Sequence, residues 1–274
     1  KEWLCQGKAS QGRNDFVVDL YHKGVFVSES TPKIQVRNLT KRFGTLTVLD
    51  GINFSVAKGE LVAIVGPTGC GKTTFLNMLS KLMPATEGNI LIDGQEANPK
   101  THNISYVFQE PTCLPWRTVR ENVAYGMEIK GVPRAERMKR SDAIMELVGL
   151  SSCADLYPNQ VSASMVQRIA VSRAFAVQPD LLLMDEPYGQ LDVKLRYYLE
   201  DELVNLWRTL KSTILFVTHN IEEAVYVADR ILVLSNKPTT IKAELRVDLE
   251  RPRELTDLRF VDLRKQVTEL IRWW

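Results

Sequence analysis

A glycine-rich loop between an apolar run and a helical pattern constrains the fold of this chain more than any other feature. The run Glu60–Gly66 is typical of a buried parallel strand, and apolar residues recur at helical spacing from Phe75 to Met83. The residues between them fit the pattern Gly-x4-Gly-Lys-Ser/Thr: Gly66, Pro67, Thr68, Gly69, Cys70, Gly71, Lys72, Thr73 and Thr74. Strand, loop and helix in this order direct backbone N–H groups and a helix N-terminus at a phosphate group. The sequence therefore predicts a phosphate-binding loop, with an ordinary glycine turn as the alternative.

Three side chains of this loop carry specific expectations. Lys72 is expected to reach the β- and γ-phosphates of a nucleotide, and the Thr73 hydroxyl to ligate Mg²⁺. Cys70 lies near the same amides and the start of the helix, which should lower the pKa of its thiol. The alternative is that Cys70 is only a small residue that fits the loop.

Composition excludes several classes of protein. The chain has 274 residues, enough for one large α/β domain or two smaller ones, and a net charge of +2. This nearly neutral charge argues against a nucleic-acid partner. No apolar run reaches the length of a membrane span, so a soluble chain is expected. The four cysteines lack metal-ligand spacing, and a disulfide framework is not expected.

The order of the predicted elements indicates a layered α/β fold. Strand patterns occur at Ile34–Leu39, Ile52–Val56 and Asn89–Gly94, and together they predict an antiparallel layer beside a parallel core. Leu181–Glu186 and Thr213–His219 are apolar runs that end in polar residues. In open parallel sheets, ligands bind at the carboxyl ends of such strands. Between these two groups, residues from about 118 to 160 predict a helical insertion.

Taken together, these motifs resemble the ATPase subunits of ABC transporters over roughly residues 33–250. The matching features, in the order of that family, are an adenine-stacking aromatic at Phe43, the Walker A loop Gly66–Thr74, the Q-loop glutamine Gln109, the signature segment Val161–Met165, the Walker B run Leu181–Glu186, the D-loop residue Asp192 and the switch histidine His219. The resemblance implies an α/β fold of the P-loop NTPase (RecA-like) type. Its parallel-sheet core carries an N-terminal antiparallel β layer and an inserted α-helical subdomain.

The same resemblance implies a division of the chain and an activity. The expected parts are an ATP-binding core (33–110 and 166–250), a helical signature subdomain (111–165), a C-terminal helical tail (251–274) and an N-terminal extension without an assigned role (1–32). The expected activity is hydrolysis of ATP with Mg²⁺.

Individual roles follow for the matched residues. Glu186 is expected to be the general base or to orient the attacking water, and His219 to contact the γ-phosphate and orient that water. Asp185, Thr73 and Gln109 are expected to hold Mg²⁺, Gln109 also sensing the water. Ser162, Ser164 and Asp192 are expected to contact nucleotide across a dimer interface. Phe43 either stacks on adenine or packs into the sheet; the sequence leaves both open.

Two further segments are similar to the nitrate, sulfonate and taurine importer ATPases: Leu114–Val123 and Leu249–Asp257. This similarity implies a second ATPase subunit, in a homo- or heterodimer, and a transmembrane permease as partners. A periplasmic or lipid-anchored solute-binding protein would take part indirectly, and the chain would lie peripherally on the cytoplasmic face of the inner membrane. Trp116 is either an anchor for the permease or an ordinary packing residue.

Two motifs depart from the family. Where the family usually has Leu-Ser-Gly-Gly followed by Gln or Met, this chain has Val161–Met165, with Ala163 and Ser164 in place of both glycines. The D-loop also departs, with Gln190 where a small residue is usual. Because the added Cβ atoms hinder close approach, we expect intact ATP binding but weakened dimer closure and reduced turnover. A regulatory or non-transport ABC ATPase, or a nucleotide sensor, is the alternative function.

Overall fold

The computed structural model describes residues 31–189, 191 and 193–271. The predicted N-terminal extension, apart from its last two residues, lies outside the described residues, as do Gln190 and Asp192 of the predicted D-loop. The described part of the chain forms ten strands and seven α-helices: β1 (Ile34–Phe43), β2 (Leu46–Val56), β3 (Leu61–Val65), α1 (Lys72–Leu79), β4 (Glu87–Ile92), β5 (Gln95–Glu96), β6 (Ile104–Val107), α2 (Val119–Ile129), α3 (Arg134–Leu147), α4 (Ala163–Ala176), β7 (Leu181–Asp185), α5 (Val193–Leu210), β8 (Thr213–Thr218), α6 (Ile221–Val227), β9 (Arg230–Leu234), β10 (Ile241–Arg246) and α7 (Leu258–Ile271).

The central sheet has the order β10-β9-β3-β8-β7-β6. The strands from β9 to β6 run parallel, and β10 pairs antiparallel with β9 at the edge. Strands β3, β7 and β8 are buried along their whole length because apolar clusters cover both faces of the sheet. Their carboxyl ends therefore meet at one edge, directly before Gly66, Glu186 and the residue His219.

A smaller antiparallel sheet, of order β2-β1-β4-β5, covers one face of this core. Its apolar side chains share one buried cluster with α1 and with alternate residues of β3. Within that cluster the rings of Phe54 and Phe75 lie 5.5 Å apart between centroids, which joins the sheet to α1. The predicted parallel core and antiparallel layer are confirmed.

Helices α2, α3 and one face of α4 enclose a third apolar cluster. Helix α2 begins with a capping box in which the Glu121 N–H donates to Thr118 Oγ1 and the Thr118 N–H donates to Glu121 Oε2. Helix α4 contributes Ile169 to this cluster but Phe175 to the main core. The predicted boundary between residues 165 and 166 thus falls inside one helix that belongs to both packing units, and the division into subdomains stays a prediction.

The C-terminal segment is fixed to the core by a buried arginine and a helix. The Arg253 guanidinium donates to the carbonyls of Val225, Tyr226 and Ala228, at the C-terminal end of α6. These carbonyls have no intrahelical donors, so a buried cation is well placed there. Helix α7 buries Phe260 and Val267 in the main core. Among the described residues, no helix has both the length and the apolar composition of a membrane span.

A buried acid on α5 is the least expected feature of the core. Glu200 is completely buried, and neither of its carboxyl oxygens has a hydrogen-bond partner within the described chain. Burial, followed by the charge of Glu223 on α6, raises the pKa of Glu200 to about 8, although Arg196 opposes the shift. Asp201 and Glu222 add to the negative field. The folded protein therefore keeps Glu200 protonated at neutral pH.

This burial predicts a pH-dependent gain in stability for Glu200→Gln. Because the folded-state pKa lies above the ordinary value of 4.5, the contribution of Glu200 to stability decreases as the pH rises from about 4.5 to about 8. Glutamine does not titrate. The free energy of unfolding of the variant, relative to wild type, should rise across this window by up to about 1.4 kcal/mol per pH unit. Urea unfolding between pH 5 and pH 9 measures it, with exposed Glu146→Gln as the control; a difference independent of pH would contradict the expectation.

Candidate functional site

The glycine-rich loop joins β3 to α1 and encloses the side chain of Lys72. The Lys72 ammonium is buried and donates to the carbonyl oxygens of Gly66, at 3.0 Å, and Pro67, at 3.1 Å. Gly71 has φ +113° and caps α1, and a Cβ there would come within 2.7 Å of Val48. The first N–H groups of α1 have no intrahelical acceptor, so the loop presents several donors and one cation on its inner side.

The Asp185 carboxyl lies at the end of β7, beside this loop. It is only 3% exposed, and its Oδ1 has no hydrogen-bond partner within the described residues. Burial raises the pKa of the Asp185 carboxyl, while Thr73, Lys72 and Tyr106, which lie close to it, act in the opposite direction. An unpartnered buried carboxylate oxygen next to a threonine hydroxyl is a donor set that suits Mg²⁺.

Glu186, the next residue, directs its carboxylate towards the tips of two neighbouring strands. Its Oε2 accepts a hydrogen bond from Gln109 Nε2 at 3.1 Å and lies 2.9 Å from His219 Nδ1. Its backbone has φ +45°, in the left-handed region, and its N–H donates to Val217 O of β8 at 2.8 Å. A non-glycine residue in that region carries strain of about 1–3 kcal/mol, and such strain is often found at active sites.

The loop and these polar groups open into one cavity of about 370 Å³. Its walls contain nine of the predicted site residues: Thr68, Gly69, Gly71, Lys72, Thr73, Thr74, Gln109, Glu186 and His219. Pro67, Gly66 and Cys70 complete the loop beneath it without lining the cavity. Cationic, acidic and imidazole groups thus converge beside a set of free amides, which is an arrangement suited to a polyphosphate and an attacking water.

Phe43, Ser162 and Ser164 do not line this cavity. Phe43, at the end of β1, is 46% exposed, with Lys41 Nζ 5.0 Å from its ring centroid. This exposure leaves the ring accessible to a base, as stacking requires. Ser162 and Ser164 lie at the start of α4, and Asp192 lies outside the described residues.

The expectation of a lowered pKa for Cys70 is wrong. The side chain is 2% exposed, and burial raises the pKa of its thiol in spite of the charge of Lys72. The sulfur faces the interior rather than the free amides: a Cβ on Gly66 would come within 3.1 Å of Sγ. Cys70 therefore acts as a small packing residue, the alternative that the sequence left open.

The signature segment forms an ordinary helix start. Ser162 caps α4: its Oγ accepts from the Met165 N–H at 3.3 Å and lies 2.9 Å from Ser164 Oγ. Ala163 and Ser164 belong to the helix, and neither has a positive φ. Replacing glycine at these positions thus introduces no backbone strain in this chain. Any effect on function must come from the added Cβ atoms.

Two polar residues near the site were given no role from the sequence. Tyr106 lies beside Asp185 and donates to Asn77 Oδ1 at 3.3 Å. Gln167, on α4, is 6% exposed and donates to the carbonyl of Pro187, which follows Glu186. The buried face of α4 is otherwise mainly apolar, so a glutamine there was the available signal. Tyr106 gave no such signal, because Ser105 beside it is also polar.

Comparison with known proteins gives concordant matches. The family model described as ABC transporter matches residues 49–189. The uncharacterized ABC transporter ATP-binding protein MJ0412 of Methanocaldococcus jannaschii is 42% identical over 244 residues, which cover 88% of this chain and 91% of the relative. The aliphatic sulfonates import ATP-binding protein SsuB of Bacillus thuringiensis is 38% identical over 230 residues, 84% of this chain and 90% of that protein.

Solved structures agree with these relatives. The dimeric ATP-binding cassette MJ0796, in a post-hydrolysis state bound to ADP and Pi, matches with a TM-score of 0.70 at 30% identity, over 79% of this chain and all of that one. CbiO1 from Clostridium perfringens matches with a TM-score of 0.72 at 24% identity, over 79% of this chain and 89% of that one, and supports the fold alone.

Proposed function

This chain belongs to the ABC transporter family as an ATP-binding, ATP-hydrolysing protein, and from that premise we propose that it is the ATPase subunit of an importer for a small anionic or organic solute of the nitrate, sulfonate or taurine kind. Hydrolysis of Mg-ATP at a dimer interface would drive a membrane permease. The cavity that unites the glycine loop, Lys72, Glu186 and His219 carries the proposal, because these groups meet the separate needs of binding a triphosphate and attacking it.

Binding of ATP would begin at the loop. The free N–H groups at the start of α1 would donate to oxygens of the β- and γ-phosphates, and Lys72 Nζ would exchange its two carbonyl acceptors for phosphate oxygens. This exchange favours the charged ligand, because a carbonyl gives a buried ammonium only partial compensation. Phe43 would stack on the adenine ring.

Thr73, Asp185 and Gln109 would hold Mg²⁺, Asp185 through its unpartnered Oδ1 or an intervening water. When bound, the cation neutralises part of the charge on the β- and γ-phosphates.

Glu186 and His219 would act on the attacking water. The Glu186 carboxylate accepts a proton from the water while the water oxygen forms a bond to the γ-phosphorus. The bond from the γ-phosphorus to the bridging oxygen breaks, and ADP and phosphate leave. Because His219 Nδ1 faces Glu186, its Nε2 remains for a γ-phosphate oxygen. Gln109 contacts the same carboxylate oxygen and would report its state to the loop that follows.

A dimer would complete the site, as the dimeric structures of MJ0796 suggest by their likeness to this chain. Ser162, Ser164 and Asp192 would then face a nucleotide bound by the opposing subunit. The Cβ atoms of Ala163 and Ser164 would crowd that contact and reduce turnover. A heterodimer with a partner that has an intact signature would retain one efficient site, whereas a homodimer would not.

The partner on the membrane side would dock on the loop after Gln109. Trp116 in this loop is 70% exposed, so its ring is available to a partner. Tryptophan is a common interface anchor, which makes Trp116 a candidate for the contact with the permease. The similarity to SsuB, named as an aliphatic sulfonate import protein, supports a permease as the partner of this loop. This chain would lie on the cytoplasmic face of the inner membrane, and a solute-binding protein would take part from the opposite side. The departure at Val161–Met165 favours a second candidate, a regulatory ABC ATPase in which binding and dimerisation matter more than hydrolysis.

The proposal predicts that Glu186→Gln separates binding from hydrolysis. Loss of the base should reduce the ATPase rate by about 100-fold or more. Affinity for Mg-ATP should change little, because the phosphate-binding amides and Lys72 are intact. Phosphate release and nucleotide titration measure the two quantities. Glu110→Gln, which alters an exposed neighbouring carboxylate that does not line the cavity, should retain the wild-type rate; equal rates for both variants would reject Glu186 as the base.

Restoring the glycines tests the weakened signature. The double variant Ala163→Gly, Ser164→Gly should raise the ATPase rate, by an amount of the order of 10- to 100-fold if one charge-stabilising contact is recovered. Ala135→Gly, near the start of the helix α3, controls for the lower helix propensity of glycine. An unchanged rate in the double variant would mean that the departures are benign.

A further inference from the structure

The turn that contains Glu186 is stabilised by hydrogen bonds within the turn and by hydrogen bonds to neighbouring elements. Glu186 has φ +45°, a conformation that a residue with a Cβ rarely adopts. Its N–H is fixed to Val217 O of β8, and the Gly189 N–H closes the turn on Glu186 O at 3.3 Å. These bonds fix the peptide before Glu186 and the end of the turn. The following carbonyl, that of Pro187, takes part in neither bond and is held by a side chain instead.

Gln167 supplies that restraint from helix α4. It is 6% exposed, and its Nε2 donates to Pro187 O across the boundary between helix and turn. The proline ring fixes its own φ, so a fixed carbonyl orientation also determines ψ at Pro187. Between that carbonyl and the Glu186 Cα, only ψ of Glu186 can then rotate. The Gln167 amide thus adds a third anchor, from another helix, to the two backbone bonds that restrain the peptides on either side of Glu186.

The next residue of α4 makes a bond in the opposite direction. Arg168 Nη1 donates to Val148 O, at the end of α3, at 2.9 Å. Two consecutive side chains therefore connect α4 to the helical layer, which is formed by α2 and α3, and to the turn that contains Glu186. A movement of α3 relative to the sheet would be transmitted through α4 to that turn.

We propose that Gln167 is a positioning residue for ATP hydrolysis: its bond to Pro187 holds the strained backbone of Glu186 so that the carboxylate faces the nucleotide cavity, and it links the helical layer to the base. This inference rests on the proposed role of Glu186 as the base. Gln167 itself does not line the cavity. Its removal should therefore affect the rate of the chemical step and leave binding intact.

Gln167→Met tests this directly, because methionine has a similar length and no donor. We expect kcat to fall by about 10- to 100-fold, since misplacement of a reacting group by about 1 Å can have that effect. The Kd for Mg-ATP should stay within about twofold of wild type, because the loop amides are untouched. Ser172→Ala, at a buried position on the same helix whose hydroxyl has no partner among the described residues, is the matched control and should leave both constants unchanged.

Gln167→Glu provides a second variant with its own signature. An ionised carboxylate would repel Pro187 O, whereas a protonated one would donate to it as the amide does. Its rate relative to wild type should therefore recover as the pH falls from 8 to 6. A role confined to packing would not produce that recovery. If Gln167→Met does not fold, this variant decides the question alone.

Two results would overturn the inference. The first is a kcat per folded molecule within twofold of wild type in Gln167→Met. The second is a loss of ATP affinity in proportion to the loss of rate. Failure of the proposed function is distinguishable: there, Glu186→Gln itself would retain turnover. If Glu186→Gln is inactive while Gln167→Met is fully active, the base assignment stands and only the positioning role is rejected.

Discussion

Parallel pairing of β3 with β8, and of β8 with β7, is the constraint on which the candidate site depends. The register pairs Val65 with Thr218 and Asp185 with Val217, so three strands end at the same level of the sheet. Each strand is buried on both faces, so a shift of its pairing by one residue would move every side chain to the opposite face. The apolar side chains would then no longer fit the layers against which they pack. The loop, the acid and the imidazole are far apart in the chain, and this register alone brings them to one edge.

The cavity at this edge holds its charges in a self-compensated arrangement. Lys72 is bound to carbonyls of its own loop, and Glu186 is bound to Gln109 and His219. A triphosphate would compete for Lys72 and His219, and so would release part of the carboxylate of Glu186 for water. Binding and activation of the base would thereby be linked through side chains that already touch.

Much of the fold could be predicted because its signals are local. Buried apolar runs such as Leu181–Asp185, together with glycines at turn positions, identify the strands and the loop within a few residues. Side-chain direction is different, since it depends on neighbours far away in the sequence. For Cys70 the sequence left two interpretations open, and only the packing shows that its sulfur is turned into the core. In the same way, the helix α4 crosses a boundary between residues 165 and 166 that the family resemblance implied.

The contacts that stayed hidden share the same cause. Gln167 meets Pro187, and Glu200 comes under the charge of Glu223, only after the helices have packed on the sheet, and no spacing rule within one element indicates either pair. By contrast, the positions of Glu186 and His219 beside one cavity could be anticipated, because each follows a buried strand and ligands bind where such strands end. Position at a strand end is readable from sequence; a partner across an interface is not.

The cavity between the glycine-rich loop, Glu186 and His219 is expected to bind a triphosphate and to position a water for attack on its terminal phosphate. A crystal structure of the chain with Mg²⁺ and a non-hydrolysable ATP analogue tests it most directly. The account predicts the terminal phosphate between the Gly66–Thr74 loop and Glu186, with Lys72 Nζ on phosphate oxygens in place of the Gly66 and Pro67 carbonyls and with His219 beside the γ-phosphate. An analogue bound elsewhere, or Glu186 and His219 both turned away from the terminal phosphate, would contradict it.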